Sequence, residues 1–223
     1  MLKCLITLFL TIFVLFGQAY AAEIDNKISK VEKYFLNYGI DLSKLTTEEV
    51  KTLFEAPKQF DNFETDELNI NDAKQFEANL NALHEYLSKG SKIEFHFKEL
   101  EFNSWLNHRG LTLIDKQKEI KYIKFKFEPS LIKMLIALKI RDINVYCLLV
   151  ASPQINNETE TIDLNCKYYI GNYEISNSDG LIYKILKMQS NISLNNLKFG
   201  DKSFQLLNMA TLDKKFVIEI KSK

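Results

Sequence analysis

The chain holds many residues of the types that do chemistry, but their spacing matches no common catalytic or metal site. His84, His96 and His108 are twelve residues apart, whereas zinc ligands usually include close pairs such as H-x-x-x-H. No serine stands in a G-x-S-x-G elbow, and the seven glycines form no phosphate-binding loop. The sequence therefore predicts no metal site and no cofactor, and it gives no reason to expect an enzyme.

Cys147 and Cys166 are the two cysteines beyond the N-terminal region. They lie in apolar runs, 140–151 and 161–170, that predict an antiparallel hairpin. If the hairpin turns about Asn156-Asn157, the two cysteines lie opposite each other, close enough for a disulfide. We therefore predict a Cys147–Cys166 disulfide, with two buried free thiols as the alternative.

Lysines alternate with apolar residues in one predicted strand. Lys124 and Lys126 share a face with Ile120 and Tyr122. With Lys121, they predict a basic and aromatic face for anionic lipid head groups or an acidic partner. Two alternatives stay open: the lysines discourage strand-edge pairing, or this face docks the acidic N-terminal segment of the same chain.

The chain begins with the pattern of an export signal. Lys3 precedes an apolar run at 5–16, and Ala19-Tyr20-Ala21 is a small-x-small cleavage site. The apolar run is too short for a membrane span, which needs about 20 residues. We predict a signal peptide over 1–21 and an exported protein, periplasmic or secreted, without a stable transmembrane segment. A retained anchor is the alternative.

The balance of charge changes near Gly90. Residues 22–90 carry 14 acidic and 8 basic side chains, whereas residues 91–223 carry 15 acidic and 20 basic ones. The two segments together are close to neutral, which argues against a nucleic-acid-binding protein. We predict an acidic helical segment over 22–90 and a sheet domain over 91–223.

Apolar periodicity predicts the elements of both segments. The first has helices at 24–38, after Thr46 with a Thr46–Glu49 capping box, and at 71–90. The second segment has predicted strands and two short helices. The strands are expected at 93–97, 123–127, 140–151, 161–170, 203–207 and 215–220, and the helices at 100–108 and 181–188. The predicted fold is α+β, with the N-terminal helices packed on a meandering antiparallel sheet that has short inserted helices.

The segment 97–107 leads from a predicted strand into a short helix. It resembles exported bacterial proteins of the tubular lipid-binding (TULIP) type through Glu101, Phe102, Asn103, Trp105 and Leu106. The similarity in layout covers about residues 92–220, and a turn at 169–173 adds to it. The resemblance implies a curved sheet wrapped around a helix over an apolar groove. In that arrangement Trp105 and Leu106 lie under the sheet, and Asn103 caps a backbone group.

Aromatic residues are abundant, with 16 Phe, 10 Tyr and 1 Trp, many of them on alternating strands. They predict a non-enzymatic exported protein that binds an apolar or amphipathic ligand, foremost a lipid, between sheet and helices. The expected lining is Phe95, Phe97, Trp105, Phe125 and Phe127; the alternative is that these residues only fill the core. The second functional hypothesis is an exported protein-interaction or assembly factor that uses its acidic helices or its basic strand face.

Overall fold

The computed structural model describes residues 35–36, 40–58, 60, 68–90, 92–110, 120–140, 143–175, 191–193, 197–199 and 202–222. The predicted signal peptide, most of the predicted helix at 24–38 and the predicted helix at 181–188 lie outside these residues. Among the described residues, no helix is long and apolar enough to cross a membrane.

Three α-helices are described. They are α1 (Thr47–Thr52), α2 (Ile70–Ser88) and α3 (Glu99–Trp105), with a 3-10 turn at Leu42–Lys44 and a π-helical turn at Leu106–Gly110. The predicted capping box forms: the Thr46 side chain accepts from Glu49 N, and the Glu49 side chain accepts from Thr46 N. Helix α2 begins earlier than predicted, because the Asn69 side chain accepts from the backbone N–H groups of Asn71 and Asp72.

Ten strands are described. They are β1 (Lys92–Lys98), β2 (Ile120–Glu128), β3 (Leu131–Ile140), β4 (Ile143–Asn156), β5 (Thr161–Ile170), β6 (Tyr173–Glu174), β7 (Asn191–Ser193), β8 (Lys198–Phe199), β9 (Lys202–Leu212) and β10 (Lys215–Ser222).

The strands form two antiparallel sheets, so the prediction of one meandering sheet is wrong, although the α+β class is confirmed. The four-stranded sheet has the order β1-β10-β9-β8, and the six-stranded sheet has the order β2-β3-β4-β5-β6 with β7 beside β5. Helix α3 lies between β1 and β2 in the chain, and β1 pairs with the C-terminal strand β10 instead of with β2. The sequence prediction also missed β3, whose continuous apolar run is typical of a strand buried on both faces.

The two sheets and helix α2 share one hydrophobic core. The inner face of the six-stranded sheet is the face that carries Ile123, Phe125 and Phe127, and it looks towards this core. Phe127 lies 6.0 Å from Phe216 of the four-stranded sheet, measured between ring centroids. Phe76 of α2 lies 5.9 Å from Phe97 of β1. Burial of such rings is the largest single contribution to a core of this size.

Candidate functional site

The five aromatic residues predicted to line a ligand site lie in one cluster where β1, β2 and α3 meet. Phe95, Phe97, Phe125 and Phe127 are buried, and Trp105 is half-buried. Their rings touch one another or the rings of further core residues. The centroid distances are 4.8 Å for Phe95–Phe97, 5.0 Å for Phe102–Phe125 and 5.4 Å for Phe76–Trp105. The five residues therefore belong to one aromatic cluster of the core.

The α3 residues behind the family resemblance hold the helix in place. The buried carboxylate of Glu101 accepts from Lys98 Nζ at 2.7 Å and from Asn79 Nδ2 at 3.2 Å. Asn103 accepts from Phe125 N and donates to Phe125 O, both at 2.7 Å, so it caps a backbone group as predicted. Leu106 is buried. These contacts join α3 to β2 and to α2.

The predicted basic and aromatic face is divided by a β-bulge. The register between β2 and β3 shifts between Ile120 and Tyr122, so Lys121 is the extra residue. Its Nζ donates to Asn144 Oδ1 at 2.8 Å. The bulge turns Ile120 towards the core, whereas Tyr122 lies on the opposite, outer face of the six-stranded sheet. Only Tyr122, Lys124 and Lys126 therefore share a face.

That outer face is largely covered, and Lys124 is only 6% exposed. Phe60, from the N-terminal segment, packs there against Leu135 and Leu148 in a second hydrophobic cluster. The ammonium group of Lys126 lies 3.3 Å from the Glu128 carboxylate. This arrangement fits the alternative in which the face docks the chain's own N-terminal segment, because Phe60 belongs to that segment.

The predicted disulfide is absent, and both cysteines are free thiols. The turn of the hairpin lies beyond Asn156, which pairs with Thr161, so the register differs by four from the predicted one. Cys147 therefore faces Ile170, and Cys166 faces Ala151. The prediction failed because strand β4 continues through Ser152 and Pro153. Pro153 fits there because β3 no longer pairs with β4 beyond Ala151.

The inner face of the six-stranded sheet is not evenly covered. The inward residues of β3 are all buried, whereas three consecutive inward residues of β5, Leu164, Cys166 and Tyr168, are only partly buried. Burial raises the pKa of the Cys166 thiol, and a hydrogen bond with the Tyr168 side chain acts in the opposite direction. We call these three residues the β5 stripe. The sequence does not predict this stripe, because the apolar alternation of 161–170 does not indicate which positions stay partly uncovered.

The histidines do not come together. Within the described ranges, no three His, Cys, Asp or Glu side chains are grouped so that they could hold a metal ion. His96 lies 2.6 Å from Glu94 on an exposed strand face, and His108 is exposed within the π-helical turn.

Comparison of the chain with known protein families, with curated proteins and with solved structures gives no match. The resemblance to the tubular lipid-binding type therefore stays a prediction that depends on the residues of α3.

Proposed function

We propose that this chain is an exported, non-catalytic protein that binds an apolar or amphipathic ligand, foremost a lipid, inside its sheet-and-helix core. The observation behind the proposal is the β5 stripe, in which Leu164, Cys166 and Tyr168 face the core yet stay partly uncovered. Uncovered inward apolar surface gains roughly 25 cal/mol per Å² when a ligand covers it. In this proposal the aromatic cluster between β1, β2 and α3 forms a wall of the core.

The chemistry of the stripe favours an amphipathic ligand. Leu164 offers only apolar surface, whereas Tyr168 adds a hydroxyl beside the Cys166 thiol. A ligand with an acyl chain and a polar end satisfies both, because the chain covers the leucine and the polar end meets the hydroxyl.

The packing of the N-terminal helices on the sheets is part of the same proposal. Phe35 and Leu53 are fully buried members of the core. The backbone N–H of Asn172 donates to Thr52 O at 2.8 Å, which joins α1 to the turn after β5. We propose that the helical segment before residue 60 closes the core on this side and that a ligand lies between it and the β5 stripe.

The test is native mass spectrometry of the exported protein, followed by denaturation. The expected result is extra mass that is lost on denaturation and is extractable into organic solvent. Leu164→Glu should abolish this mass, because it places a charge on the stripe. Asn165→Glu is the matched control, since Asn165 is exposed on the same strand, and it should keep the mass. A bare wild-type mass, with no binding of an added fluorescent fatty acid, contradicts the proposal.

A protein partner is the second candidate function. Two exposed leucines favour it: Leu100 is 42% exposed and Leu212 is 49% exposed. Their segments meet, because Glu99 N donates to Lys214 O at 3.0 Å. A contiguous exposed apolar patch is typical of interaction surfaces. Co-purification of a defined partner by the wild type, and its loss in Leu100→Ser with Leu212→Ser, would support this function over ligand binding.

A further inference from the structure

Strand β2 is an edge strand whose free side is covered by side chains of a helix. Its partner on one side is β3, and on the other side no described strand pairs with it. The outward backbone N–H groups of Ile123, Phe125 and Phe127 instead donate to side-chain oxygens. The acceptors are Asn107 Oδ1 at 3.0 Å, Asn103 Oδ1 at 2.7 Å and Glu99 Oε2 at 2.6 Å, respectively.

The carbonyl groups of the same three residues also have partners. Ile123 O accepts from Asn107 Nδ2 at 2.6 Å, and Phe125 O accepts from Asn103 Nδ2 at 2.7 Å. Phe127 O accepts from the backbone N–H of Lys214 at 2.9 Å. All six outward backbone groups of this stretch are therefore satisfied without a neighbouring strand.

The spacing of residues explains why side chains of a helix can pair with the outward backbone groups of a strand. Residues four apart on a helix advance by about 6 Å, and alternate residues on a strand advance by about 6.6–6.8 Å. Glu99 and Asn103 of α3, followed by Asn107 of the π-helical turn, form a row that matches Phe127, Phe125 and Ile123 in that order. Asparagine suits the role because its amide offers one acceptor and donors, like a peptide group. We call these three residues the edge row.

Uncovered, β2 would be a strong template for strand pairing. Apolar and polar residues alternate over six of its positions, 123–128. An antiparallel pair of two β2 strands centred on Phe125 would satisfy the same outward groups in both copies. It would also place Lys124 opposite Lys126, which is unfavourable for like charges. The lysines thus oppose the same pairing that the edge row prevents.

We infer that the edge row prevents β2 from pairing with β2 of a second copy of this chain, and that its loss causes self-association through that strand. The inference concerns assembly and does not depend on the proposed ligand.

The test uses a double variant that carries both Asn103→Leu and Asn107→Leu. Sedimentation velocity over a dilution series compares this double variant with the wild type. Leucine keeps the approximate size of asparagine but leaves four backbone groups of β2 unpaired. The expected result is self-association with a dissociation constant at least about tenfold below that of the wild type. Hydrogen exchange should show unprotected Ile123 and Phe125 amides at low concentration and protected ones at high concentration. The matched control replaces two exposed α2 asparagines, Asn71 and Asn81, by leucine and should behave as the wild type.

A second set of variants separates the effect of the edge row on β2 pairing from the effect of the lysines. Lys126→Thr alone should not self-associate, because the edge row is intact, whereas Lys126→Thr added to the double variant should strengthen association.

A folded double variant that stays monomeric at every concentration overturns the inference. Association that leaves the β2 amides unprotected also overturns it. If the double variant does not fold, Asn107→Asp decides: it keeps the acceptor for Ile123 N but loses the donor to Ile123 O. Self-association of this variant supports the inference, and wild-type behaviour overturns it.

Discussion

Gly171 lies in the turn after β5 with a φ of 58°, and an added Cβ would overlap the carbonyl oxygen of Thr52 and lie 2.7 Å from the carbonyl carbon of Leu53. Gly90 has a similar φ of 72°, but a Cβ there meets nothing within 4 Å. We therefore predict that Gly90→Ala costs about 1 kcal/mol of unfolding free energy, for the backbone conformation alone. Gly171→Ala should cost roughly 1–3 kcal/mol more, for the overlap with α1. Urea unfolding of the two variants measures the difference, and equal losses would show that α1 does not sit against this turn.

The two free thiols should react differently with an alkylating reagent, because the thiolate is the reactive form. Burial raises the pKa of the Cys147 thiol to about 12, and burial also raises the pKa of the Cys166 thiol. We predict slow modification of Cys166 in the native protein, and modification of Cys147 only after unfolding. Intact mass after iodoacetamide treatment, with and without denaturant, counts the modified thiols. Two native modifications at equal rates, or a mass lighter by two hydrogens, would contradict the structure.

The raised pKa of the Cys147 thiol also predicts that the stability of the fold depends on pH. The folded-state pKa of Cys147 lies above its ordinary value of 9.0, so burial of the neutral thiol stabilises the fold fully below pH 9. This contribution is lost as pH rises from 9 towards 12, because the unfolded chain releases the proton and the folded chain keeps it. Cys147→Ala should therefore reduce the fall of the unfolding free energy above pH 9. An identical pH profile in both proteins would argue against the buried thiol.

At the scale of single elements, short-range sequence signals predicted the helices more accurately than they predicted which strands pair and in which register. The Thr46–Glu49 capping box and the apolar row of α2 are short-range patterns, and both appear in the structure. The sheets were less predictable, because pairing depends on contacts far apart in sequence. The hairpin turn beyond Asn156 moved the cysteine register by four residues. The bulge beside Lys121 turned Ile120 away from the face predicted for it. The β5 stripe could not be predicted, because exposure depends on which elements cover a strand.

The start of α2 gives an element-scale prediction. The Asn69 side chain accepts from two otherwise unpaired N–H groups, at 3.0 Å from Asn71 and 2.9 Å from Asp72. Asn69→Ala should lower the unfolding free energy by about 1 kcal/mol, because these donors lose their acceptor. Asn71→Ala, at an exposed position in the first turn, should change it by less than about 0.5 kcal/mol. Thermal unfolding followed by circular dichroism compares them, and an equal effect would place the cap elsewhere.

At the scale of the whole molecule, the two sheets are joined at one end by their hairpins. Lys214 N donates to Phe127 O at 2.9 Å, and Ser130 N donates to Thr211 O at 3.2 Å. Phe97 of the four-stranded sheet lies 5.7 Å from Phe216, 5.9 Å from Phe76 and 6.3 Å from Phe102. One residue of β1 thus contacts β10, α2 and α3, so α2 and the two sheets belong to one hydrophobic core.

A shared core implies that the described elements unfold together. Trp105, the single tryptophan, reports on the contact of α3 with α2, and far-UV circular dichroism reports on all helices and strands. We predict coincident urea transitions from both probes. Phe97→Ala should lower the unfolding free energy by about 3–5 kcal/mol, because the lost ring touches three elements. The decrease should be the same whether it is measured by fluorescence or by circular dichroism. Leu212→Ala, at a 49% exposed position, is the control and should leave both nearly unchanged. If the fluorescence transition separated from the circular dichroism transition, α2 and α3 would be a unit that unfolds independently of the sheets.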